Sequence, residues 1–174
     1  MIGGALPSPE DRRDFRLSRC MDMPTGGANL PRSYRVSWLP EIKDQGNVNS
    51  CTAFALSYIF ECIRHKQTKG ASRFSTGFLY GNRRETWYKD TGQIMRDAVK
   101  GAHKYGDVPA AVWDNNLEVP EAINAFESAY NAVSAAARKL IKGYVRIYDA
   151  EEAKAFLCRY DVPLFVNTTM RKVN

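Results

Sequence analysis

The sequence predicts an α+β fold in which helices come first along the chain and strands are added towards its end. The segment from Cys51 to about Lys66 is apolar on nearly all sides, which is typical of a helix buried at the centre of a domain. Further helical patterns follow up to about residue 140. Beyond it, short runs rich in β-branched and aromatic residues flank one more helix and predict a few strands.

The central helix is predicted at about 50–66. It follows a stretch, 31–50, that is rich in Pro, Gly, Asn and Asp and therefore predicts a loop. That loop ends in Ser50, a residue type that favours the N-cap of a helix. Polar and cationic residues return at 64–66, where positive charge suits the C-terminal end of the helix dipole.

The remaining predicted elements are three helices, followed by a strand, a helix and a strand. Residues 75–83 predict a short helix, and 93–105 predict a clearer one that Gly106 ends. Pro120 opens an alanine-rich helix that extends to about residue 140. The last three predicted elements are a strand at 144–148, a helix at 150–160 capped by Asp149, and a strand at 164–168.

The composition is that of a soluble globular protein, with 174 residues of which 44% are apolar and 25% charged. No run of 18 apolar residues occurs, so we expect no membrane partner. The first residues lack the basic head and apolar stretch of a signal peptide, which predicts a cytoplasmic location.

The net charge of +6 raises the question of nucleic-acid binding. The cations are, however, dispersed among acids, and the densest basic stretch, 138–142, holds three of them. A solvated basic surface explains this pattern, and no specific nucleic-acid partner is predicted.

The cysteines suggest neither a metal site nor a disulfide framework. They are Cys20, Cys51, Cys62 and Cys158. None forms a Cys-x-x-Cys pair, and the two histidines, His65 and His103, are not grouped with them. We expect reduced thiols, no metal and no organic cofactor.

The segment around Cys51 has the composition of a nucleophilic site. A thiol in the first turn of a helix lies among unpaired backbone N–H groups, which favour a thiolate and can bind an oxyanion. Gln45, six residues upstream across a turn, can supply a further donor from its side-chain amide. The alternative interpretation is that Cys51 is a small buried apolar residue, as most cysteines are.

Residues 45–54, Gln-Gly-Asn-Val-Asn-Ser-Cys-Thr-Ala-Phe, resemble the active-site motif of papain-type cysteine peptidases, Gln-Gly-x-Cys-Gly-Ser-Cys-Trp-Ala-Phe. Six positions match in register: Gln45, Gly46, Ser50, Cys51, Ala53 and Phe54. Similar segments follow in the family's order: Leu30-Pro31 with Trp38, 74–80, 90–92 before a helix ending in Tyr105-Gly106, and 162–166.

The resemblance implies a papain-like fold and hydrolysis of peptide bonds through a thioester, with a peptide or protein as the substrate. Cys51 is the implied nucleophile, and Gln45 is the implied side-chain donor of the oxyanion hole. Four residues are implied to line the substrate-binding groove: Asn49, Ser50, Thr91 and Gly92.

Three positions depart from the family's motif. Val48 replaces a cysteine and so removes the family's usual disulfide, which agrees with a reducing compartment. Asn49 replaces a glycine beside the implied oxyanion site, although Asn tolerates unusual backbone angles better than most residues. Thr52 replaces the usual tryptophan.

The family also requires a histidine base, oriented by an asparagine on its second lobe, and the resemblance places both beyond Asn174. His65 stands fourteen residues after Cys51 on the same predicted helix, about 21 Å away, so it cannot serve as the base. His103 is expected to be an ordinary surface residue. We therefore expect little turnover from the 174-residue chain alone.

The resemblance divides the chain into an N-terminal arm at 1–30, a helical papain-like lobe at 31–140, and the truncated start of a strand-rich lobe at 141–174. The arm is a candidate pro-segment lying along the groove, or a tail packed on the surface. The missing histidine and asparagine would come from a missing C-terminal half or a second chain. Otherwise the chain would be a non-catalytic peptide-binding or structural relative.

Overall fold

The computed structural model describes residues 5–6, 8–21, 30–83, 92–113 and 133–166. Two short strands and five helices are described over their full length in these ranges. They are β1 (Ala5–Leu6), α1 (Leu17–Cys20), α2 (Cys51–Thr68), α3 (Thr76–Gly81), β2 (Gln93–Ile94), α4 (Met95–Tyr105) and α5 (Ala150–Tyr160).

The central helix α2 is confirmed, and it begins at Cys51 as expected. Much of its surface is covered, and its fully buried apolar residues include Ala53, Leu56 and Phe60. It ends in a left-handed residue, Lys69, with φ of 58°, whose N–H donates to the carbonyl oxygen of His65 at 2.7 Å. The helix α2 is thus the central buried helix of the described residues, and its first turn forms part of the site described below.

Two helices pack against α2, and both follow their sequence signals. Ser75 caps α3, because its hydroxyl accepts a hydrogen bond from the N–H of Phe78 at 3.0 Å. Gly106 ends α4 with φ of 79°. The first two residues of the predicted 93–105 helix form strand β2 instead, because they pair with the N-terminal segment.

The main core lies between α2, α3 and α4. It is apolar and almost fully buried: Ala53, Leu56, Phe60, Phe74, Leu79, Tyr80, Ala98 and Ala102. Leu140, Ile141 and Phe165 also pack against it, so residues that follow 140 contribute to the same core.

The N-terminal arm is anchored to the rest of the chain. β1 pairs in parallel with β2, with Ala5 opposite Gln93 and Leu6 opposite Ile94. The arm also forms the short helix α1, whose first residue, Leu17, is fully buried.

The strand predictions near the end of the chain are wrong within the described residues. In the 144–148 segment, Arg146 forms a single parallel bridge with Arg16, which is too short a ladder to make a strand. Residues 164–166 form no regular structure, and 167–168 lie outside the described residues. By contrast, α5 and its cap are confirmed, since the Asp149 carboxylate accepts from the N–H of Glu152 at 2.7 Å.

The predicted helix from Pro120 lies mostly outside the described residues. Its C-terminal limit near residue 140 is wrong, because helix is present only at 133–134 in the described part. Arg138 instead forms an antiparallel bridge with Asp107, which holds this segment in an extended path. Over the ranges given above, no helix is long and apolar enough to cross a membrane.

Candidate active site

The loop before Cys51 is held by its own short hydrogen bonds. The Asp44 carboxylate accepts from the N–H of Gly46 at 2.9 Å, and Gly46 adopts the left-handed region with φ of 58°. The carbonyl oxygen of Val48 then accepts from the N–H of Ser50 at 2.8 Å. These contacts turn the chain so that α2 can begin at the next residue.

Cys51 lies at the first position of α2, and its free thiol belongs to a half-buried residue. In the described chain, the first N–H of this helix with an acceptor is that of Phe54, which donates to the carbonyl oxygen of Ser50 at 3.1 Å. The N–H groups of residues 51–53 therefore remain available at the helix start. A half-buried cysteine beside unpaired N–H donors is the arrangement expected of a thiol nucleophile.

Ser50 occupies the N-cap position but does not cap the helix with its side chain. Its hydroxyl oxygen is buried and has no hydrogen-bond partner among the described residues. The prediction of Ser50 as N-cap is thus right in position and wrong in its bonding. As a result, the N–H groups in the first turn of α2 have no side-chain acceptor at the N-cap.

The side-chain amide of Gln45 bonds within the turn that Gln45 itself begins. Its amide nitrogen donates to the carbonyl oxygen of Val48 at 2.8 Å. A primary amide has two N–H groups, so this bond uses one of the two. The bond holds the Gln45 amide at the turn that leads into Cys51.

The other residues expected in the groove have mixed outcomes. Thr91 lies outside the described residues, and Asn49 is half-buried. Gly92 is buried with φ of 82°, and both of its backbone polar groups are occupied. Its N–H donates to the hydroxyl of Tyr80 at 3.3 Å, and its carbonyl oxygen accepts from Arg83 at 3.3 Å. The N–H of Gly92 would have to exchange the Tyr80 hydroxyl for a peptide acceptor, whereas its carbonyl oxygen retains a second lone pair for a further donor.

The segment next to Gly92 contacts both the nucleophile helix and the arm. Thr52, which follows Cys51, donates from its hydroxyl to the carbonyl oxygen of Gln93 at 3.4 Å. Gln93 is also the residue opposite Ala5 in the two-stranded sheet. Gln93 thus links the N-terminal arm to Thr52, the residue next to Cys51.

Both histidines of the chain make contacts away from Cys51. His65 stacks on Trp38, with ring centroids 3.9 Å apart and an interplanar angle of 11°. Its position fourteen residues along α2 puts it about 21 Å from Cys51. His103 is exposed, and its Nε2 lies 3.0 Å from the carbonyl oxygen of Lys142.

Cys62 provides a contrast to Cys51 on the same helix. It is buried, and burial is the main cause that raises the pKa of its thiol to about 11, with the charges of Glu61 and Asp161 adding to the effect. Such a thiol is unreactive at neutral pH. All four cysteines are free, and within the described ranges no group of residues could hold a metal ion.

A buried charged cluster beneath the loop was missed by the sequence analysis. Lys43 and Glu61 form an ion pair at 2.5 Å, with side chains that are only 9% and 1% exposed. The Asp107 carboxyl group is also fully buried. One signal was visible in advance, because Glu61 is an acid in the middle of an otherwise apolar helix.

A buried central helix begins with a half-buried cysteine and packs against further helices and a small sheet. This is the arrangement of the papain-like cysteine protease fold. Among solved structures, the chain is similar to xylellain, a cysteine protease from Xylella fastidiosa, with a TM-score of 0.68 and 26% identity. The match covers 89% of this chain and 62% of that one. No protein-family profile and no curated protein sequence matches the chain.

Proposed function

We propose that this chain carries the nucleophile of a cysteine peptidase. The observation that supports this most directly is the half-buried free thiol of Cys51 at the open start of α2, in a fold shared with a cysteine protease. In the proposed reaction, the Cys51 sulfur attacks the carbonyl carbon of a peptide bond and a tetrahedral oxyanion forms. The C–N bond then breaks, an amine leaves with a proton, and water hydrolyses the resulting thioester.

The oxyanion is bound by donors at the helix start in this proposal. The N–H of Cys51 supplies one donor, and the second N–H of the Gln45 amide supplies another, while its first remains on Val48. Removal of one oxyanion donor typically lowers kcat by about 10²–10³. Loss of the Gln45 amide is therefore expected to lower kcat although the amide takes no part in the attack by the sulfur.

The base that activates Cys51 and protonates the leaving amine is proposed to come from polypeptide outside these 174 residues. Both histidines of the chain have other contacts, and the chain spans 62% of the length of the similar protease. A further lobe of the same protein or a second chain would supply the histidine and the asparagine that orients it.

A peptide carrying an electrophile, such as a peptidyl vinyl sulfone, tests the proposal at neutral pH. The modified cysteine is identified by mass spectrometry in the wild-type chain and in Cys51→Ala. Cys158→Ala is the matched control, because Cys158 is also free and half-buried but lies inside α5. We expect labelling that Cys51→Ala abolishes and Cys158→Ala leaves unchanged. Equal labelling of Cys51 and Cys158 would contradict the proposal and favour a non-catalytic relative.

The N-terminal arm is proposed to restrain access to Cys51. Its strand β1 pairs with β2 beside the residues implied to form the groove. Asp14 then ties the arm to two separate segments, because its carboxylate accepts from Arg96 of α4 and from Arg146 at 3.1 Å. Although burial acts to raise it, these hydrogen bonds hold the pKa of Asp14 below its ordinary value, so the carboxylate stays charged at neutral pH.

Asp14→Asn tests this restraint, with Asp11→Asn as the control. Both changes remove one negative charge, but Asp11 pairs with Arg13 inside the arm itself. We expect Asp14→Asn to increase the rate of Cys51 labelling several-fold and Asp11→Asn to leave it unchanged. Identical rates in the two variants would show that the arm does not limit access.

A further inference from the structure

The segment that leads to the active-site loop runs along α2. The sulfur of Cys62 lies 3.7 Å from the carbonyl oxygen of Trp38, and the hydroxyl of Tyr58 donates to the carbonyl oxygen of Pro40 at 2.6 Å. Lys43 is the last of these contacts before the loop begins. The loop is therefore attached to one helix at both ends, at Lys43 through a side chain and at Cys51 through the backbone.

The contact at Lys43 is buried and has several partners. Its ammonium donates to Glu61 Oε1 at 2.5 Å, to Ser57 Oγ at 2.7 Å and to the carbonyl oxygen of Phe74 at 3.4 Å. Glu61 Oε1 also accepts from the N–H of Phe74 at 2.9 Å, and the Ser57 hydroxyl donates to the Phe74 carbonyl at 3.1 Å. One ammonium thus joins the loop, α2 and the segment before α3.

A surface ion pair could not fix the loop in this way, because exposed pairs contribute little and exchange with water. A buried pair with three hydrogen-bond partners has a single low-energy geometry, and its donors and acceptors cannot be replaced by solvent. The position of Lys43 is therefore fixed relative to Ser57 and Glu61. Gln45 follows only two residues later, so the positions that its side-chain amide can occupy are restricted as well.

We infer that Lys43 is a positioning residue, which through its buried contacts with Ser57 and Glu61 holds the Gln45 loop in register with the start of α2. The inference rests on the proposed peptidase function and adds a determinant of its oxyanion site. Lys43 itself touches no substrate. Its effect reaches the reaction through the distance between the Gln45 amide and Cys51.

Binding of a peptide aldehyde tests whether the Gln45 loop is correctly positioned relative to the start of α2. The Cys51 sulfur adds to its carbonyl carbon, and the thiol proton ends on the oxygen, which lies where the oxyanion donors act. Iodoacetamide alkylates the same sulfur without forming such an oxygen. The ratio of aldehyde affinity to alkylation rate therefore measures how much the oxyanion donors contribute to binding. A change in the overall stability of the fold alone does not alter this ratio.

The main variant is Lys43→Met/Glu61→Gln. It removes both buried charges together, which avoids leaving one of them unpaired, and the amide oxygen introduced at position 61 can still accept from the N–H of Phe74. Lys154→Met is the control, since Lys154 forms an exposed pair with Glu151 far from the loop in sequence. We expect the double variant to bind the aldehyde at least tenfold more weakly, with the alkylation rate within twofold of wild type and no effect in the control.

Ser57→Ala keeps the inference testable if the double variant does not fold. It removes one acceptor of Lys43 with little change in volume, and we expect a three- to tenfold loss of aldehyde affinity. Unchanged affinity in folded variants would overturn the positioning role and leave the proposed function intact. A wild-type chain that binds no aldehyde through Cys51 would overturn both.

Discussion

The hydroxyl of Tyr80 accepts a hydrogen bond from the backbone N–H of Gly92 at 3.3 Å, at a position that the family resemblance assigns to the substrate groove. Arg83 donates to the Gly92 carbonyl oxygen and stacks on the Tyr80 ring, with its guanidinium carbon 3.4 Å from the ring centroid. A peptide that accepts from the N–H of Gly92 must displace the Tyr80 hydroxyl.

Tyr80→Phe is expected to destabilise the fold by about 1–3 kcal/mol, because it leaves the buried N–H of Gly92 without its acceptor. Urea unfolding measures the effect. Tyr148→Phe is the control, since that ring is 47% exposed and loss of its hydroxyl should cost less than about 0.5 kcal/mol. Equal effects of the two changes would show that the bond to Gly92 contributes nothing.

Asp107 makes the stability depend on pH. Burial, more than any other cause, raises the pKa of its carboxyl well above the ordinary value, and the charge of Glu61 adds to the effect. An unfolded chain loses this proton near the ordinary value of 3.8, whereas the folded chain keeps it to higher pH. The stability due to Asp107 is therefore complete below that value and falls as pH rises.

Asp107→Asn tests this dependence by urea unfolding between pH 4 and pH 8. The variant should gain stability relative to wild type as pH rises, by up to about 1.4 kcal/mol for each pH unit while only the unfolded chain is ionised. Asp161→Asn should behave in the opposite way when the unfolding experiments are extended below pH 4. The pKa of Asp161 is lowered, first by the hydrogen bond from the Ser37 N–H, so its stabilising effect disappears towards low pH. A difference between Asp107→Asn and wild type that does not vary with pH would contradict this account.

Gly106 allows no side chain. Its φ of +79° is strained for other residues, and a Cβ would lie 2.6 Å from the backbone oxygen of Arg138. We expect Gly106→Ala to destabilise the fold by about 2–4 kcal/mol. Gly101→Ala in the middle of α4 should instead stabilise it by about 0.5–1 kcal/mol, since the nearest atom to its Cβ is 3.5 Å away. Thermal unfolding compares the pair, and a neutral Gly106→Ala would contradict the close contact with Arg138.

Local signals predicted the helices well. The all-round apolar pattern of α2, the stop at Gly106 and the cap at Asp149 each depend on residues within a few positions, and each is present in the structure. The place of Cys51 at the helix start follows from the same local reasoning.

Contacts between distant segments were not predictable in the same way. The pairing of Ala5 with Gln93 joins residues 88 positions apart, and it converted the predicted start of α4 into a strand. Gln45 has several acceptors within reach, and the sequence does not indicate that Val48 is the one it uses. The buried pair of Lys43 and Glu61 likewise depends on how the loop crosses α2.

The most direct test of the account is acylation of the 174-residue chain by a p-nitrophenyl ester of a blocked peptide, with the modified cysteine mapped by mass spectrometry. The account predicts a thioester on Cys51 that forms at least ten times faster than on Cys158 and is slowed tenfold or more by Gln45→Ala, but not by Gln67→Ala. The thioester should persist, because both histidines of the chain make contacts elsewhere and the activating base is proposed to lie outside these 174 residues. Acylation that follows exposure alone, with Cys20 modified first and Gln45→Ala without effect, would contradict Cys51 as the nucleophile of a peptidase.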